Sequence, residues 1–265
     1  MDILNIYGLI GALVIGVVLG LTGGGGSILT VPILVYLLSI NPVTATAYSL
    51  FVVGTTALFG TIRNAQKGMI EYRIAIVFAI PAFIAVYLTR KLIIPAIPDT
   101  IFTLNEFVFT KDLSIMIFFA IIMLLASISM IKEKKKVALK DEVNFNYPTI
   151  IIEGFVVGAL TGLVGAGGGF LIIPALVLFA NLPMKKAVAT SLMIIAAKSL
   201  IGFLGDIGNI PIDWEFLLIF TTLSIIGIII GIYLNNFIDG KKLKKGFGWF
   251  VLSIAIYIII KELIV

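Results

Sequence analysis

The sequence predicts an all-α polytopic membrane protein: two inverted-topology repeats of about five helical segments each, with glycine-broken helices near the membrane centre. Three observations carry that expectation. Composition is the first: 60% hydrophobic residues, 12% charged residues and a mean hydropathy of +1.19 lie far from the roughly 45–50% apolar and 25% charged residues of soluble domains. Internal duplication is the second. Leu19-Gly20-Leu21-Thr22-Gly23-Gly24-Gly25-Gly26-Ser27 and Thr161-Gly162-Leu163-Val164-Gly165-Ala166-Gly167-Gly168-Gly169 are one device written twice, and a proline, Pro32 or Pro174, follows each. The offset of 142 residues also pairs Gly16 with Gly158, Leu34 with Leu176, Ser49 with Ser191, Leu50 with Leu192, Gly60 with Gly202, Glu71 with Asp213 and Tyr72 with Trp214. The third observation is where the basic residues fall.

Ten apolar runs follow one another, five per repeat. In the first repeat, residues 1–131, they are Ile3–Leu21, Ile28–Ile40, Pro42–Ile62, Ile74–Leu88 and Leu113–Ile131. The second, residues 148–265, holds Ile150–Val164, Phe170–Ala180, Ala187–Leu204, Trp214–Leu234 and Phe247–Ile260. The runs are apolar all round rather than alternating, which selects helices over a transmembrane barrel. Several are shorter than the roughly 20 residues of a full span. The two shortest directly follow the glycine clusters, so each cluster marks a hairpin or a broken helix. Ile3–Leu21 has no basic residue before it and recurs as the start of the second repeat, so it is not expected to be a cleaved leader. Arg90–Asp112, with Pro95 and Pro98, and the charged segment 132–147 are expected to be connectors, the latter a cytoplasmic linker between the repeats.

Five runs per repeat give an odd number of crossings, which turns the second copy upside down. With the turn holding Arg63, Lys67 and Arg73 inside, the linker lysines 132, 134, 135, 136 and 140, Lys185 and Lys186, and Lys241, Lys242, Lys244 and Lys245 also fall inside. Fourteen of the nineteen Lys and Arg then face the cytoplasm, as the positive-inside bias requires. Arg90, Lys91, Lys111 and Lys261 face out, and Lys198 lies within a span. The net charge of +5 is therefore read as topology rather than as affinity for nucleic acid.

Gly8, Ala12, Gly16 and Gly20, with Gly154, Gly158 and Gly162 in the second repeat, recur every four residues and so form small-residue ridges for close helix packing. Gly227 and Gly231 read the same way. The clusters Gly23, Gly24, Gly25, Gly26 and Gly165, Gly167, Gly168, Gly169 cannot form one helix face. A break in lipid is tolerated only where protein buries it or it lines a cavity, and it frees the N-terminus of the next helix, near Ile28 or Phe170, for an anion. A plain hairpin turn is the alternative. Ser49 and Ser191, equivalent under the repeat, would add hydroxyl donors. Lys198 is the one basic residue well inside an apolar run, where a charge faces the protein interior or a cavity. It is read as a substrate-binding cation, as the partner of Asp206 on the same helix face, or as a snorkelling residue at a displaced boundary. Glu153 and Asp206 sit near segment ends, so no proton relay is evident.

The chain has neither cysteine nor histidine, which removes disulfides, thiol chemistry and the commonest transition-metal ligands; no metal or other cofactor is expected. It also removes the His-Glu-x-x-His site of metalloproteases and the histidine base of a serine hydrolase. No phosphate-binding Gly-x-x-x-x-Gly-Lys-Ser/Thr loop is present. An enzyme is therefore not expected.

The glycine-rich breaks with their prolines, Ala189-Thr190-Ser191-Leu192 with its partner Ala47-Tyr48-Ser49-Leu50, and Asp213-Trp214 after a polar loop resemble the sulfite exporter family TauE/SafE over nearly the whole chain. That resemblance implies a multi-pass plasma-membrane permease that exports sulfite, organosulfonates or other small anions. Its partners would be the anion, the lipid bilayer, a coupling ion (proton or sodium) and further copies of itself in a homo-oligomer. A passive anion channel is the competing function, because broken helices also line pores.

Overall fold

The structure is a computed structural model that describes residues 6–24, 26–104, 107–132, 147–165, 167–178, 180, 182–235, 237 and 240–264. It is mostly helical. In the first half, α1 (Ile6–Thr22) is followed by α2 (Ser27–Pro32), which runs on through a π turn over Ile33–Leu37, and by α3 (Pro42–Gln66). Next, α4 (Tyr72–Leu88) continues through a second π turn (Thr89–Ile93) into α5 (Ile94–Ala96). A hairpin of β1 (Thr100–Leu104) and β2 (Phe107–Thr110) leads to α6 (Lys111–Ile131). The second half holds α7 (Tyr147–Val164), α8 (Gly169–Leu178), α9 (Met184–Leu204), α10 (Trp214–Leu234) and α11 (Gly240–Ile264).

Helix starts follow local chemistry. Pro42 opens α3 where its missing N–H costs nothing, and Asn41 caps the helix by accepting from the Val43 and Thr44 amides at 2.9 and 3.4 Å. Thr110 and Asp213 cap α6 and α10 in the same way, accepting from Leu113 at 3.2 Å and Phe216 at 3.0 Å; such caps stabilise a helix by about 1 kcal/mol.

Among the described residues, five helices are long and apolar enough to cross a membrane: Pro42–Gln66, Tyr72–Ala96, Lys111–Ile128, Lys185–Leu204 and Trp214–Leu234. Their outward faces carry large exposed apolar side chains, among them Ile76, Ile80 and Ile84 on α4, Ile121 and Leu125 on α6, and Leu218, Ile226 and Ile230 on α10. Lipid is the solvent such a surface requires. The chain is a multi-pass membrane protein.

Two expectations need correction. The fold is not purely helical, because β1 and β2 pair antiparallel and stack Phe102 on Phe109 with centroids 4.8 Å apart. Nor does the connector begin at Arg90. The run that seemed to stop at Leu88 carries on as helix to Ala96, and Arg90 is buried inside the bundle. The physical reason is length: a run of 15 residues is about 22 Å of helix at 1.5 Å per residue, too short for a bilayer, and the continuation to Ala96 makes a span of 25 residues, Tyr72–Ala96. The linker assigned to 132–147 lies, apart from Lys132 and the first residue of α7, outside the described residues.

Small residues set the helix contacts. A Cβ on Gly16 would strike the Ser224 carbonyl, and one on Gly20 would lie 2.6 Å from the Ile228 carbonyl, so α1 and α10 run parallel in backbone contact. On the other side of the bundle a Cβ on Gly158 would strike Ala82, and one on Gly162 would crowd Val86 and Thr89; α7 and α4 are likewise parallel. Between them α3 crosses α9 antiparallel, Gly60 against Leu192 and Gly202 against Leu50. The ridges read from the sequence are these seams.

The two ends of the bundle differ in charge. Lys186 lies 3.9 Å from Glu71, so the 67–71 turn and the start of α9 share one end, with Arg63, Lys67, Arg73 and Lys185 close by in sequence. At the opposite end Asn41 donates to Asp112 at 2.7 Å and Tyr36 to Glu262 at 2.7 Å, with Lys261 Nζ 4.4 Å from the Tyr36 ring.

Candidate functional site

The two glycine segments meet at the midpoints of α3 and α9. Gly24 and Gly169 lie backbone to backbone, each in the space where a Cβ on the other would go. A Cβ on Gly167 would strike Val53 and lie 3.0 Å from Ile195 and 3.2 Å from Ser27, so this residue sits where α2, α3 and α9 converge. Gly23, Gly165 and Gly168 adopt φ of +72°, +69° and +68°, the left-handed region in which a side chain is strained. Gly23 abuts Val188 and Gly165 abuts Thr46; a Cβ on Gly26 would lie 2.5 Å from the Ile15 carbonyl. Gly25 lies outside the described residues.

The chain leaves helix at Thr22 and Val164 and resumes it at Ser27 and Gly169, one residue earlier in each half than the expected starts at Ile28 and Phe170. Part of the first-turn hydrogen bonding is internal. The Leu29 amide donates to Gly26 at 3.1 Å, and the Leu171 and Ile172 amides both donate to Gly168 at 2.9 Å.

Lys198 is fully buried, and its Nζ donates to Thr161 Oγ1 at 2.6 Å. A Cβ on Gly168 would lie 2.8 Å from that nitrogen. The ammonium thus stands beside the second glycine segment, one residue before α8 begins. An ammonium has three donors, and one described hydrogen bond engages one of them. The expected alternative of a Lys198–Asp206 pair is not what the structure holds: the acid faces Arg90 instead, and snorkelling is excluded by complete burial.

The two serines differ. Ser191 Oγ reaches the Gly23 and Val188 carbonyls, both at 2.8 Å, so its hydrogen is spent on fixing the first glycine segment. Ser49 Oγ is buried with no hydrogen-bond partner among the described residues, as are Thr56 Oγ1 and Ser199 Oγ. Thr56 is the counterpart of Lys198 under the 142-residue offset, and Ser199 is its neighbour. Unpaired buried hydroxyls cost about 1–3 kcal/mol each, which makes this layer of α3 and α9 polar without being self-satisfied.

One buried group escaped the sequence reading. Arg90 Nη1 donates to Thr46 Oγ1 at 3.0 Å and lies 3.5 Å from Asp206 Oδ2, with both charged side chains shielded from solvent. Gly205 makes room for it, since a Cβ there would lie 3.0 Å from the Arg90 Cβ. The signal available in the sequence was the shortness of the Ile74–Leu88 run.

Among the described residues no group of three or more Asp, Glu, His or Cys is placed to hold a metal ion. Buried cations, hydroxyls without a described partner and helix starts are groups that can donate hydrogen bonds to an anion. The pattern that defines the family "Sulfite exporter TauE/SafE" matches residues 8–258, almost the whole chain. The chain belongs to the sulfite exporter TauE/SafE family. This TauE/SafE member is similar to several probable membrane transporter proteins. A probable membrane transporter protein of Xylella fastidiosa is 27% identical over 255 residues, which is 92% of this chain and 91% of that one. The probable membrane transporter protein YunE of Bacillus subtilis is 29% identical over 78% of this chain and 79% of its own. A third, from Methanocaldococcus jannaschii, is 38% identical over 42% of this chain and 43% of its own. No solved structure matches this TauE/SafE member.

Proposed function

We propose that this protein is a secondary transporter that exports a small sulfur oxyanion, sulfite or an organosulfonate, across the plasma membrane. The substrate is held between the two glycine segments, with Lys198 as its countercharge. Gly23, Gly24, Gly26, Gly165, Gly167, Gly168 and Gly169, together with Gly25, let the anion approach backbone, and Ser49 contributes a free hydroxyl. Ser191 serves by holding the first segment in shape. The observation that carries this reading is the fully buried Lys198 ammonium beside Gly168, because a charge is kept inside a membrane protein where function needs it.

In this reading the halves are inverted repeats with glycine-broken helices near the membrane centre. Supporting it, contacts recur with partners exchanged under the offset of 142. Gly20 against Ile228 becomes Gly162 against Val86, and Leu50 against Gly202 becomes Leu192 against Gly60. Gly23 against Val188 becomes Gly165 against Thr46. The antiparallel crossing of α3 and α9 supports opposite orientations, and the collection of basic residues at the 67–71 end supports placing that end in the cytoplasm. Such repeats carry substrate by rocking around a central site. Complete burial of Lys198 fits an occluded conformation, closed toward both ends.

Flux in proteoliposomes loaded with sulfite, methanesulfonate, sulfate, acetate or chloride tests the proposal. Saturable flux of sulfite or methanesulfonate that a proton or sodium gradient accelerates is the expected result. Non-saturating flux of every anion in the panel would identify a channel instead, and absence of any flux would overturn the transport reading.

A further inference from the structure

The guanidinium of Arg90 is engaged on one side only. Its Nη1 serves Thr46 and faces Asp206, while Nε and Nη2 are buried without a hydrogen-bond partner among the described residues. Among the described residues Asp206 Oδ2 likewise has no hydrogen bond, and its ion pair is a single 3.5 Å approach rather than a fork. A buried ion pair meant only to hold helices together would satisfy these donors, because each one left open costs stability. The open Nε–Nη2 edge is the one that grips two oxygens of a carboxylate, sulfonate or phosphate at once.

Position adds to chemistry. Arg90 lies within a π turn, a local widening of the helix that recurs at functional sites. It is tied to Thr46, which abuts Gly165, and its neighbour Thr89 abuts Gly162. It therefore flanks the start of the same glycine segment whose far end lies beside Lys198. Asp206 follows Lys198 by eight residues, about 12 Å along a helix, so the two cations occupy successive levels between the middle of the bundle and the end where α3 begins. The offset of 142 makes Ile232 the counterpart of Arg90 and Asn64 that of Asp206, so this charged level exists in one half of the molecule only.

We infer that Arg90 forms a second oxyanion subsite, in which its Nε–Nη2 edge takes two oxygens of the substrate on the way to or from Lys198, and that Asp206 is the built-in competitor which occupies the guanidinium when substrate is absent. The inference rests on the transport reading above and deepens it. It assigns preference for oxyanions over monatomic anions to Arg90, and overall charge balance to Lys198.

Anion binding to purified protein in detergent, followed by calorimetry with sulfite, methanesulfonate and chloride, separates the roles. Arg90→Lys keeps the charge and loses the fork, so sulfite and methanesulfonate should bind about tenfold more weakly while chloride changes little. Asp206→Asn removes the competitor and should tighten oxyanion binding several-fold; a structural ion pair would instead give weaker binding and a lower melting temperature. Unchanged oxyanion affinity in Arg90→Lys, or weakened affinity in Asp206→Asn, overturns the subsite. If Arg90→Lys does not elute as a folded species, Asp206→Asn decides alone. Loss of binding in Lys198→Met with no effect of either Arg90→Lys or Asp206→Asn would overturn the Arg90 subsite and leave the transport reading standing. Absence of binding to the parent protein would remove both.

Discussion

The backbone amide of Glu71 donates to Thr190 Oγ1 at 3.0 Å, joining the turn before α4 to the side of α9. Its counterpart under the 142-residue offset is also present. The amide of Asp213, before α10, donates to the Tyr48 hydroxyl on α3 at 2.6 Å. Two different side chains at equivalent positions, Tyr48 and Thr190, thus do one job at opposite ends of the bundle: each anchors the turn that precedes the partner half's contact helix. Removing either acceptor leaves a backbone donor exposed or unpaired. Tyr48→Phe and Thr190→Val are each expected to cost about 1 kcal/mol and to lower the melting temperature in detergent without changing which anion binds. A variant with unchanged melting temperature would show that its bond is not made.

Charge placement predicts topology. The chain lacks cysteine, so single cysteines report position cleanly. Cysteines at Lys67 and Lys185 should be protected from an impermeant reagent in intact cells, and those at Lys111 and Lys261 should react. Labelling of Lys67 and Lys185 from opposite faces would remove the antiparallel arrangement of α3 and α9.

Close backbone contact predicts that the glycine segments resist even small side chains. Gly24→Ala puts a methyl into Gly169, and Gly168→Ala combines φ of +68° with a collision against Thr161. Both should reduce the folded fraction on gel filtration, by several kcal/mol for Gly24→Ala if overpacking of about 1–3 kcal/mol adds to loss of the Gly24–Gly169 approach. Gly68→Ala is the control: a Cβ at that exposed turn meets nothing, and only its φ of +64° opposes it, at about 1 kcal/mol. Equal yields for all three would mean that the crossing is looser than described.

Much of this architecture was legible in the sequence because lipid allows so few solutions. Apolar runs marked helices, the four-residue glycine ridges marked seams on α1, α7 and α10, and Lys198 announced itself as a charge inside a run. What was not legible depended on local distortion or on contacts distant in sequence. A π turn carries α4 past Leu88 and Arg90 is buried; the short Ile74–Leu88 run hints at the extension but not at where Arg90 goes. Asp206 was expected on the same helix face as Lys198, yet α9 ends at Leu204 and the acid faces Arg90 across the bundle; periodicity finds neighbours on a helix and is blind to those between helices. The β1–β2 hairpin was hidden by Pro95, Pro98 and the polar residues around it. The glycine clusters were read as helix breaks that free a helix start for an anion, whereas Gly24 and Gly169 are also where the backbones themselves cross and Gly167 is packed against Val53, Ile195 and Ser27.

Thr161 is the described partner of the Lys198 ammonium, which makes it the probe of how that charge is held. Thr161→Val should leave the lysine more mobile and weaken anion binding by about threefold to tenfold, because the ammonium keeps its charge and loses the hydroxyl that positions it. An effect as large as that of removing the lysine itself would mean that Thr161 contacts the anion directly.

The central claim is that Lys198 supplies the charge that holds the transported anion. Equilibrium binding of sulfite and methanesulfonate to purified parent protein, Lys198→Arg and Lys198→Met tests it most directly. The account predicts binding in the parent, partial retention in Lys198→Arg, where charge persists in a different geometry, and loss of at least tenfold in Lys198→Met at an unchanged gel-filtration profile. Lys198→Met that binds either anion as tightly as the parent would contradict it.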